Sequence, residues 1–372
     1  MTLRVLRRPF PLDPLIAEAR RRARQRRFLV AVSGFAVLAA AATLALERPS
    51  PGGGTSNKLA GARSAGTLAV PEGADGIAVV VYGRLSVTTK TGFHIHGLPV
   101  SAATLAPGAR YVVAGIGHAL TELAPTGKRL WSVPVGEPVA DCGACGVVEK
   151  IAWSPDASRI AYLVRTRAAN AILHVVWRDG THDSVIARNA GGEQPSWRSD
   201  SRAVAYIGAR GKPTVVDLVN RSLHVITWPI ARSPATQLAF APRGSDLAIG
   251  TETAALLVGA RHRVVFEGQT QAVYWLGNHL AVSERIAPSG RSKTQIYAVT
   301  RSGAMLKSTV RLPGPIMAAY GRTIAVPVAA GVRAGPITSL HRVFRFVPER
   351  WSPNSLCFCG PLPFGSHAVS IG

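Results

Sequence analysis

A strand–turn–strand pattern recurs along this chain, and the recurrence constrains its fold more than any other feature. Each copy opens with an aromatic or apolar residue at the end of a short strand. A turn rich in Pro, Asp, Ser or Gly follows, and then a second apolar strand. The opening residues are Leu105, Trp153, Trp197, Phe240, Trp275 and Ala319.

The spacing of these copies indicates a ring of small sheets. A period of about 40–45 residues with about four strands in each copy is typical of β-propeller blades. A single four-stranded sheet cannot bury both of its faces, whereas sheets stacked around an axis cover each other and leave only short free edges. We therefore predict an all-β fold, a propeller of about seven four-stranded blades over residues 67–355, with six blades as the alternative.

The two ends of the repeat region predict how the ring closes. Residues Gly76–Tyr82, Leu85–Thr89 and Phe93–Leu98 are three predicted strands without an opening copy of the motif. Residues Trp351–Asn354 repeat the opening motif once more. We expect this last segment to supply the missing inner strand, and we assign residues 356–372 to a C-terminal tail.

The clearest copy of the repeat is Ile151–Leu163, in which Ser154, Pro155 and Asp156 suit a type I turn. The pattern resembles the TolB-type, WD-like propeller repeat of bacteria, although Ala157 stands where that family has Gly. The resemblance implies the propeller fold, and it implies little about activity because propellers host many unrelated functions. The signature positions are Trp153, Ser154, Pro155, Asp156, Trp197, Asp200, Phe240, Pro242 and Trp275.

An uncharged apolar run precedes the repeats. Residues 28–46 are long enough, as a helix, to cross the hydrocarbon core of a bilayer. The arginines just before this run predict a cytoplasmic N-terminus. The expected organisation is a basic cytoplasmic tail (1–27), a transmembrane helix (28–46), a flexible linker (47–66) and an extracytoplasmic propeller on a single-pass protein of the cell membrane. A cleaved signal peptide is the alternative for the apolar run.

The formal net charge of +23 points to an anionic partner or to simple solubility. Nucleic acid is not expected as a partner of a propeller outside the cell. Six basic residues in or beside loops are candidates for an anion-binding rim, and scattered solvated charge is the alternative. These residues are Arg165, Arg167, Arg261, Arg263, Arg291 and Lys293.

The four cysteines are Cys142, Cys145, Cys357 and Cys359. Disulfides are the usual state of cysteines outside the cytoplasm, so we predict structural disulfides. The pairing stays open between local bridges and bridges that join the two pairs. A zinc site and a redox site are weaker alternatives, because neither the spacing nor the context is typical of them.

No catalytic motif of a hydrolase or a nucleotide-binding enzyme occurs in the sequence. His94 and His96 lie on one face of a predicted strand, but without an evident third metal ligand. We therefore predict no cofactor and a non-catalytic, membrane-anchored binding or scaffold module for a protein or an anionic cell-envelope polymer. The alternative is a propeller enzyme, a glycan lyase or hydrolase, with a site in the central funnel. Its candidate residues are His174, His224, Tyr274 and Glu284.

Overall fold

A computed structural model describes residues 68–81, 83–92, 94–124, 126–136, 146–166, 170–226, 233–259, 263–285, 292–300, 303–328, 331–345 and 368–371. Within these ranges the strands form seven four-stranded antiparallel sheets. The innermost strand of each sheet contacts the innermost strand of the next, and the last contacts the first, so the sheets are the blades of a closed ring. The predicted propeller of seven blades is confirmed. In the same ranges no helix is long and apolar enough to span a membrane, and the predicted anchor 28–46 lies outside them.

The blades follow each other in chain order, except that blade 1 takes its inner strand from the C-terminal part of the chain. The strands of blades 1 to 3 are β1 (Gly76–Val81), β2 (Arg84–Thr89), β3 (His94–Pro99), β4 (Ala102–Leu105), β5 (Val112–Ile116), β6 (Ala119–Leu123), β7 (Arg129–Pro134), β8 (Val148–Trp153), β9 (Arg159–Arg165), β10 (Ala171–Trp177) and β11 (Ser184–Ala190).

Blades 4 to 7 each run from the inner strand to the outer strand. Their strands, with the closing strand of blade 1 last, are β12 (Ser196–Trp197), β13 (Ala203–Ile207), β14 (Pro213–Asp217), β15 (Ser222–Val225), β16 (Ala235–Phe240), β17 (Leu247–Thr251), β18 (Ala254–Val258), β19 (Arg263–Glu267), β20 (Thr270–Leu276), β21 (His279–Arg285), β22 (Ser292–Thr300), β23 (Gly303–Leu312), β24 (Ala318–Tyr320), β25 (Thr323–Val328), β26 (Gly331–Pro336), β27 (His341–Arg345) and β28 (Ala368–Ile371).

The ring is closed by β28, which pairs antiparallel with β1 and places Ile371 opposite Ile77. The Ser370 hydroxyl also accepts a hydrogen bond from the backbone N–H of Leu105 at 3.1 Å, which ties the closing strand to blade 2. From the sequence, these four residues were predicted to lie in a C-terminal tail, and closure was predicted for Trp351–Asn354. The strand that completes blade 1 is Ala368–Ile371, and Trp351–Asn354 lies outside the described residues.

The hydrophobic core is divided among the interfaces between blades. Because side chains alternate along a strand, one face of each sheet packs against the preceding blade and the other against the following blade. In β9, Ile160 and Tyr162 pack against blade 2, whereas Ala161 and Leu163 pack against blade 4. The described residues form seven such apolar clusters, one for each pair of neighbouring blades.

The first turn of blade 3 is held by its own side chains. In blade 3 the Ser154 hydroxyl accepts a hydrogen bond from the N–H of Arg159 at 2.9 Å, and the Asp156 carboxylate accepts one from the N–H of Ser158 at 3.0 Å. Burial acts to raise the pKa of Asp156, but hydrogen bonds from Ser154 and Ser158 outweigh it and lower that pKa. Ala157 has a φ of 55°, which is the left-handed conformation that favours glycine.

The repeat signature also joins one blade to the next. The indole N–H groups of Trp197 and Trp275 each donate a 2.9 Å hydrogen bond to the preceding blade, at the carbonyls of Ala152 and Ala239 respectively. In addition, the N–H of Asp156 donates to the Ser201 hydroxyl of the next turn at 3.2 Å. These bonds fix the angle between neighbouring blades at the end of the ring that carries the turns, which we call the repeat-turn end. The other end is the opposite end.

Candidate functional site

Aromatic and arginine side chains are concentrated at the repeat-turn end of blades 2 to 4. We call this set the aromatic–arginine cluster. Each member lies at the strand terminus or turn that reaches this end, and Trp177 is 49% exposed. The members are Tyr111, Trp131, Trp153, Arg159, Trp177, Arg178 and Trp197.

Arg159 joins two indole rings of the cluster. Its guanidinium carbon lies 5.8 Å from the ring centre of Trp177 and 5.9 Å from that of Trp197. A guanidinium within about 6 Å of an indole is attracted to the ring electrons. Its Nε is buried and has no hydrogen-bond partner among the described residues. Arg159 therefore holds the exposed indole beside a fixed positive charge.

Arg178 is the second cation of the cluster, and it covers Tyr111 with its guanidinium carbon 4.2 Å from the ring centre. Its Nε lies 3.9 Å from Oε1 of Glu122, a residue that is only 3% exposed. The Trp131 indole N–H donates to the other Glu122 oxygen. Burial raises the pKa of Glu122, and the Trp131 bond and the Arg178 charge only partly offset that rise. The buried Glu122 carboxylate thus contacts both Trp131 and Arg178 of the cluster, while Arg178 stays 43% exposed.

The interface beneath the cluster carries further polar groups of blade 3. The His174 ring stacks on Tyr162 with ring centres 4.9 Å apart, and its Nδ1 lies 3.2 Å from the Asp183 carboxylate. Burial, followed by the Asp183 charge, raises the pKa of Tyr162. The buried polar atoms without a hydrogen-bond partner in the described part of the chain all belong to blades 2 and 3. They are Glu122 Oε1, Trp153 Nε1, Arg159 Nε and Tyr162 Oη.

Chemically, the cluster offers an exposed indole ring with one cation, Arg159, beside it, and a second cation, Arg178, stacked on Tyr111 at the same end of the ring. The carboxylates nearest to it are engaged, because Asp183 faces His174 and Asp179 accepts a hydrogen bond from the Thr181 hydroxyl at 2.6 Å. An indole face binds the apolar face of a sugar or another ring, and guanidinium groups pair with carboxylates and phosphates. The arrangement suits binding of an anionic partner.

The four residues of the enzyme alternative are not brought together. His174 lies in blade 3, His224 in the outer strand of blade 4, and Tyr274 and Glu284 in blade 6. The Tyr274 hydroxyl donates to the carbonyl of Met317 at 2.8 Å, and the Glu284 carboxylate lies 3.6 Å from Lys293. Burial raises the pKa of Tyr274 to about 12. Each group therefore has its own local partner.

The predicted anion-binding rim is divided between the two ends of the ring. Arg165 ends β9 and Lys293 lies near the start of β22, both at the opposite end, whereas Arg263 begins β19 at the repeat-turn end. Arg165 is paired with Glu149, and Lys293 is paired with Glu284. The described members do not form one rim, and the other three lie outside the described residues. Those three are Arg167, Arg261 and Arg291.

Of the remaining predicted sites, the cysteines lie outside the described residues and the two histidines lie within them. Cys142, Cys145, Cys357 and Cys359 lie outside the described residues, so the disulfides stay a prediction. His94 and His96 each lie within hydrogen-bond distance of a β2 hydroxyl, those of Thr88 and Ser86 respectively. Among the residues that the structure describes, no three His, Cys, Asp or Glu side chains are grouped as metal ligands would be.

Glu122 and Arg178, which come together from different blades, were not predicted from the sequence. One signal was available: Glu122 is the only charged residue in the strand Ala119–Leu123, and it lies two residues from Leu120, on the face that packs against blade 3. A charged side chain on the face of a strand that packs against the next blade requires a partner. The identity of that partner depends on the packing of blades and cannot be found from spacing.

Comparisons with known proteins support the propeller fold and assign no activity. No protein-family model and no curated protein matches the sequence. A putative TolB from Agrobacterium tumefaciens is 11% identical, with a TM-score of 0.42 over 63% of this chain and 88% of that one. An oligogalacturonate lyase in complex with manganese is 13% identical, with a TM-score of 0.48 over 65% and 76%. The tricorn protease is 12% identical, with a TM-score of 0.54, and the match covers 77% of this chain but 34% of the protease.

Proposed function

We propose that this protein is a non-catalytic binding module of the cell surface, and that its repeat-turn end binds an anionic cell-envelope polymer through the aromatic–arginine cluster. The observation that carries the proposal is the half-exposed Trp177 ring, whose centre lies 5.8 Å from the guanidinium carbon of Arg159. Sugar rings stack on an indole, and the acidic groups of such a polymer pair with the two guanidinium groups.

The topology belongs to the same proposal. Residues 28–46 anchor the chain as a membrane helix, with the N-terminus in the cytoplasm and the propeller outside. A tether of this kind keeps a binding module close to the cell envelope, where anionic polymers are abundant. The net charge of +23 favours the same class of partner by long-range attraction. The enzyme alternative has less support, because its four candidate residues lie in three blades.

Binding of the full-length protein to alginate, an anionic polysaccharide, tests the proposal, with polyglutamate and neutral dextran as comparison probes. We expect alginate to bind more tightly than polyglutamate at equal charge, and dextran not to bind. Trp177→Ala should weaken alginate binding about tenfold, which corresponds to about 1.4 kcal/mol. Met305→Ala, which removes an apolar side chain that is 57% exposed in blade 6, is the matched control and should leave binding unchanged. Equal binding of alginate and polyglutamate, unaffected by Trp177→Ala, would refute the role of the cluster and favour an acidic protein as partner.

Protease added to intact spheroplasts tests the topology separately. The propeller should be digested, and a tag within residues 1–27 should be protected. Deletion of residues 28–46 should release the protein from the membrane fraction. A protected propeller would refute the extracytoplasmic placement without bearing on the cluster.

A further inference from the structure

A second surface lies at the ring periphery, where the outer strands of blades 3 and 4 face each other. β11 and the outer half of blade 4 enclose a cleft of about 360 Å³. This volume lies at the lower end of the range for ligand sites in proteins, so it suits a small ligand. The cleft is open to solvent and lies toward the opposite end of the ring, away from the aromatic–arginine cluster. Its lining includes Arg188, Asn189, Lys212, Thr214, Leu223 and Val225.

One wall of the cleft is formed by a β-bulge in blade 3. In the pairing of β10 with β11, the consecutive residues Arg188 and Asn189 oppose a single residue, Ile172. Consecutive side chains of a regular strand point to opposite faces, whereas both of these line the cleft. The bulge thus places a guanidinium and an amide, both hydrogen-bond donors, on the same wall.

The facing wall belongs to blade 4 and passes from buried to exposed along one row of side chains. Tyr206, Thr214 and Val225 lie directly opposite one another in neighbouring strands and are 5%, 4% and 44% exposed. Leu223 lies two residues before Val225 on the same face of β15 and is 54% exposed. This wall therefore offers the cleft an apolar surface with two hydroxyl-bearing side chains at its base.

The loop that carries Lys212 lies at the opposite-end side of the cleft and is fixed. It is closed by a 2.7 Å hydrogen bond from the N–H of Gly208 to the carbonyl of Lys212. A side chain at Gly211 would collide with Pro234, since its Cβ would lie 2.2 Å from the Cβ of that residue. The backbone at Lys212 is therefore held in place before any ligand arrives.

Arg188 and Lys212 line this cleft without a local counter-charge. In the described part of the chain, no carboxylate lies within ion-pair distance of either one, whereas Arg165 and Arg198 are both paired. Two uncompensated cations favour an anionic ligand, and a guanidinium can bind a carboxylate through two parallel hydrogen bonds. Because the apolar wall lines the same cleft, a ligand that fills it carries an acid group on an apolar body.

We propose that this cleft binds a small organic anion, a carboxylate attached to a short aliphatic chain. The carboxylate pairs with Arg188 and Lys212, with the Asn189 amide as a further donor, and the chain packs on Leu223 and Val225. The site is independent of the polymer-binding function, because it lies toward the other end of the ring and shares no residue with the aromatic–arginine cluster.

Titration of the full-length protein with isocaproate, followed by saturation-transfer NMR, tests the inference. Acetate carries the charge without the apolar chain, and isocaproamide carries the chain without the charge. We expect isocaproate to bind, and both comparison ligands to bind at least tenfold more weakly, because each lacks one of the two contacts.

Variants of the cleft locate the bound isocaproate. The double variant Arg188→Gln, Lys212→Gln should weaken its binding at least tenfold. The double variant Arg202→Gln, Arg243→Gln removes the same charge from exposed positions in blades 4 and 5, and it should leave binding unchanged. Leu223→Ser should weaken binding about threefold or more, because it removes part of the apolar wall.

Acetate binding as tight as that of isocaproate would overturn the inference, because general charge attraction would then be sufficient. A reduction in the control double variant as large as that in the cleft double variant would overturn it for the same reason. Equal binding of isocaproamide would show that the cations are not needed and would also overturn it. Loss of isocaproate binding in Trp177→Ala would place the ligand on the aromatic–arginine cluster. Retention of alginate binding by the cleft double variant separates a failure here from a failure of the polymer proposal.

Discussion

The interface between blades 2 and 3 and the interface between blades 6 and 7 share a buried isoleucine but differ in their polar side chains. Ile160 and Ile324 occupy the second position of the second strand in blades 3 and 7, and each is 0% exposed against the preceding blade. Two residues later, blade 3 has Tyr162 where blade 7 has Val326. The first interface also buries Glu122, while the polar tyrosine of the second, Tyr274, donates to a backbone carbonyl.

The difference shows where a propeller can carry polar chemistry. The apolar wall supplied by the isoleucines is present in both interfaces, so it serves closure of the ring. The polar groups lie toward the repeat-turn end of one interface, directly below the aromatic–arginine cluster. Buried polar atoms without partners reduce stability, and three of the four in the described residues, those of Glu122, Trp153 and Tyr162, belong to this interface. We attribute that cost to the demands of the cluster, because the apolar interface shows that the fold does not require it.

The largest expected change in stability tests the buried isoleucine that both interfaces share. Ile324→Ala and Ile160→Ala should each lower the free energy of unfolding by about 2–5 kcal/mol, because each removes a fully buried side chain and leaves a cavity. Chemical denaturation at neutral pH measures both. Leu306→Ala, at a position that is 50% exposed in blade 6, should change the value by less than about 0.5 kcal/mol. A cost for Ile160→Ala below about 1 kcal/mol would show that the polar interface is not tightly packed and would break the comparison.

The next largest effect is on the pH dependence of stability and concerns the buried carboxylate of Glu122. Its pKa is raised in the folded protein, so the fold favours the protonated form. This contribution to stability is complete below the ordinary value of 4.5 and is lost as the pH rises through the raised pKa. Glu122→Gln should therefore raise the free energy of unfolding at pH 8 by about 1 kcal/mol and reduce the fall in stability above pH 4.5.

Denaturation midpoints of the Glu122→Gln variant over a series of pH values measure this effect. Burial also raises the pKa of Glu193, so part of the pH dependence should remain in the variant. Ile324→Val, at the apolar interface, should lower the curve in parallel with the wild type. A parallel curve for Glu122→Gln would contradict the assignment.

The same substitution at the two interfaces should have different results. Tyr274→Phe removes the hydrogen bond to the partly buried Met317 carbonyl and should cost about 1 kcal/mol. Tyr162→Phe removes a buried hydroxyl without a hydrogen-bond partner among the described residues, and it should be neutral or slightly stabilising. Denaturant midpoints of the two variants decide the point. A loss in Tyr162→Phe as large as that in Tyr274→Phe would mean that the Asp183 carboxylate is a true partner of the hydroxyl.

The smallest expected effect belongs to the exposed cation. Arg178→Gln should change the free energy of unfolding at low pH by less than about 0.5 kcal/mol, because the side chain is partly solvated. Without this charge the pKa of Glu122 should rise further, so the fall in stability should move to higher pH. Arg84→Gln, at an exposed arginine of blade 1, should leave the pH profile unchanged. An unchanged profile in Arg178→Gln would exclude coupling between the two groups.

The architecture was predictable because each blade repeats a local pattern. The strand–turn–strand copies around Trp153 and Trp197 show that pattern most clearly. The outer strand β11 carries little local signal, because its sequence, SVIARNA, alternates poorly and is largely exposed. The anion-binding rim was predicted as one surface because loops that look alike in sequence reach opposite ends of the ring, as Arg165 and Arg263 do. The Glu122–Arg178 pair depends on the packing of two blades, which no local pattern encodes.

Because Ala368–Ile371 pairs with β1, blade 1 can be completed only late in the synthesis of the chain. Blade 1 contains strands from both extremes of the described propeller, so it stays a three-stranded sheet with an open inner edge until Ile371 has left the ribosome. Until blade 7 and this closing strand have been made, Ile77 and Val79, which the finished ring buries completely against them, lack those neighbours. We expect chaperones to bind such exposed apolar residues during synthesis, and we expect a chain that stops short of Ala368 to keep the inner edge of blade 1 open.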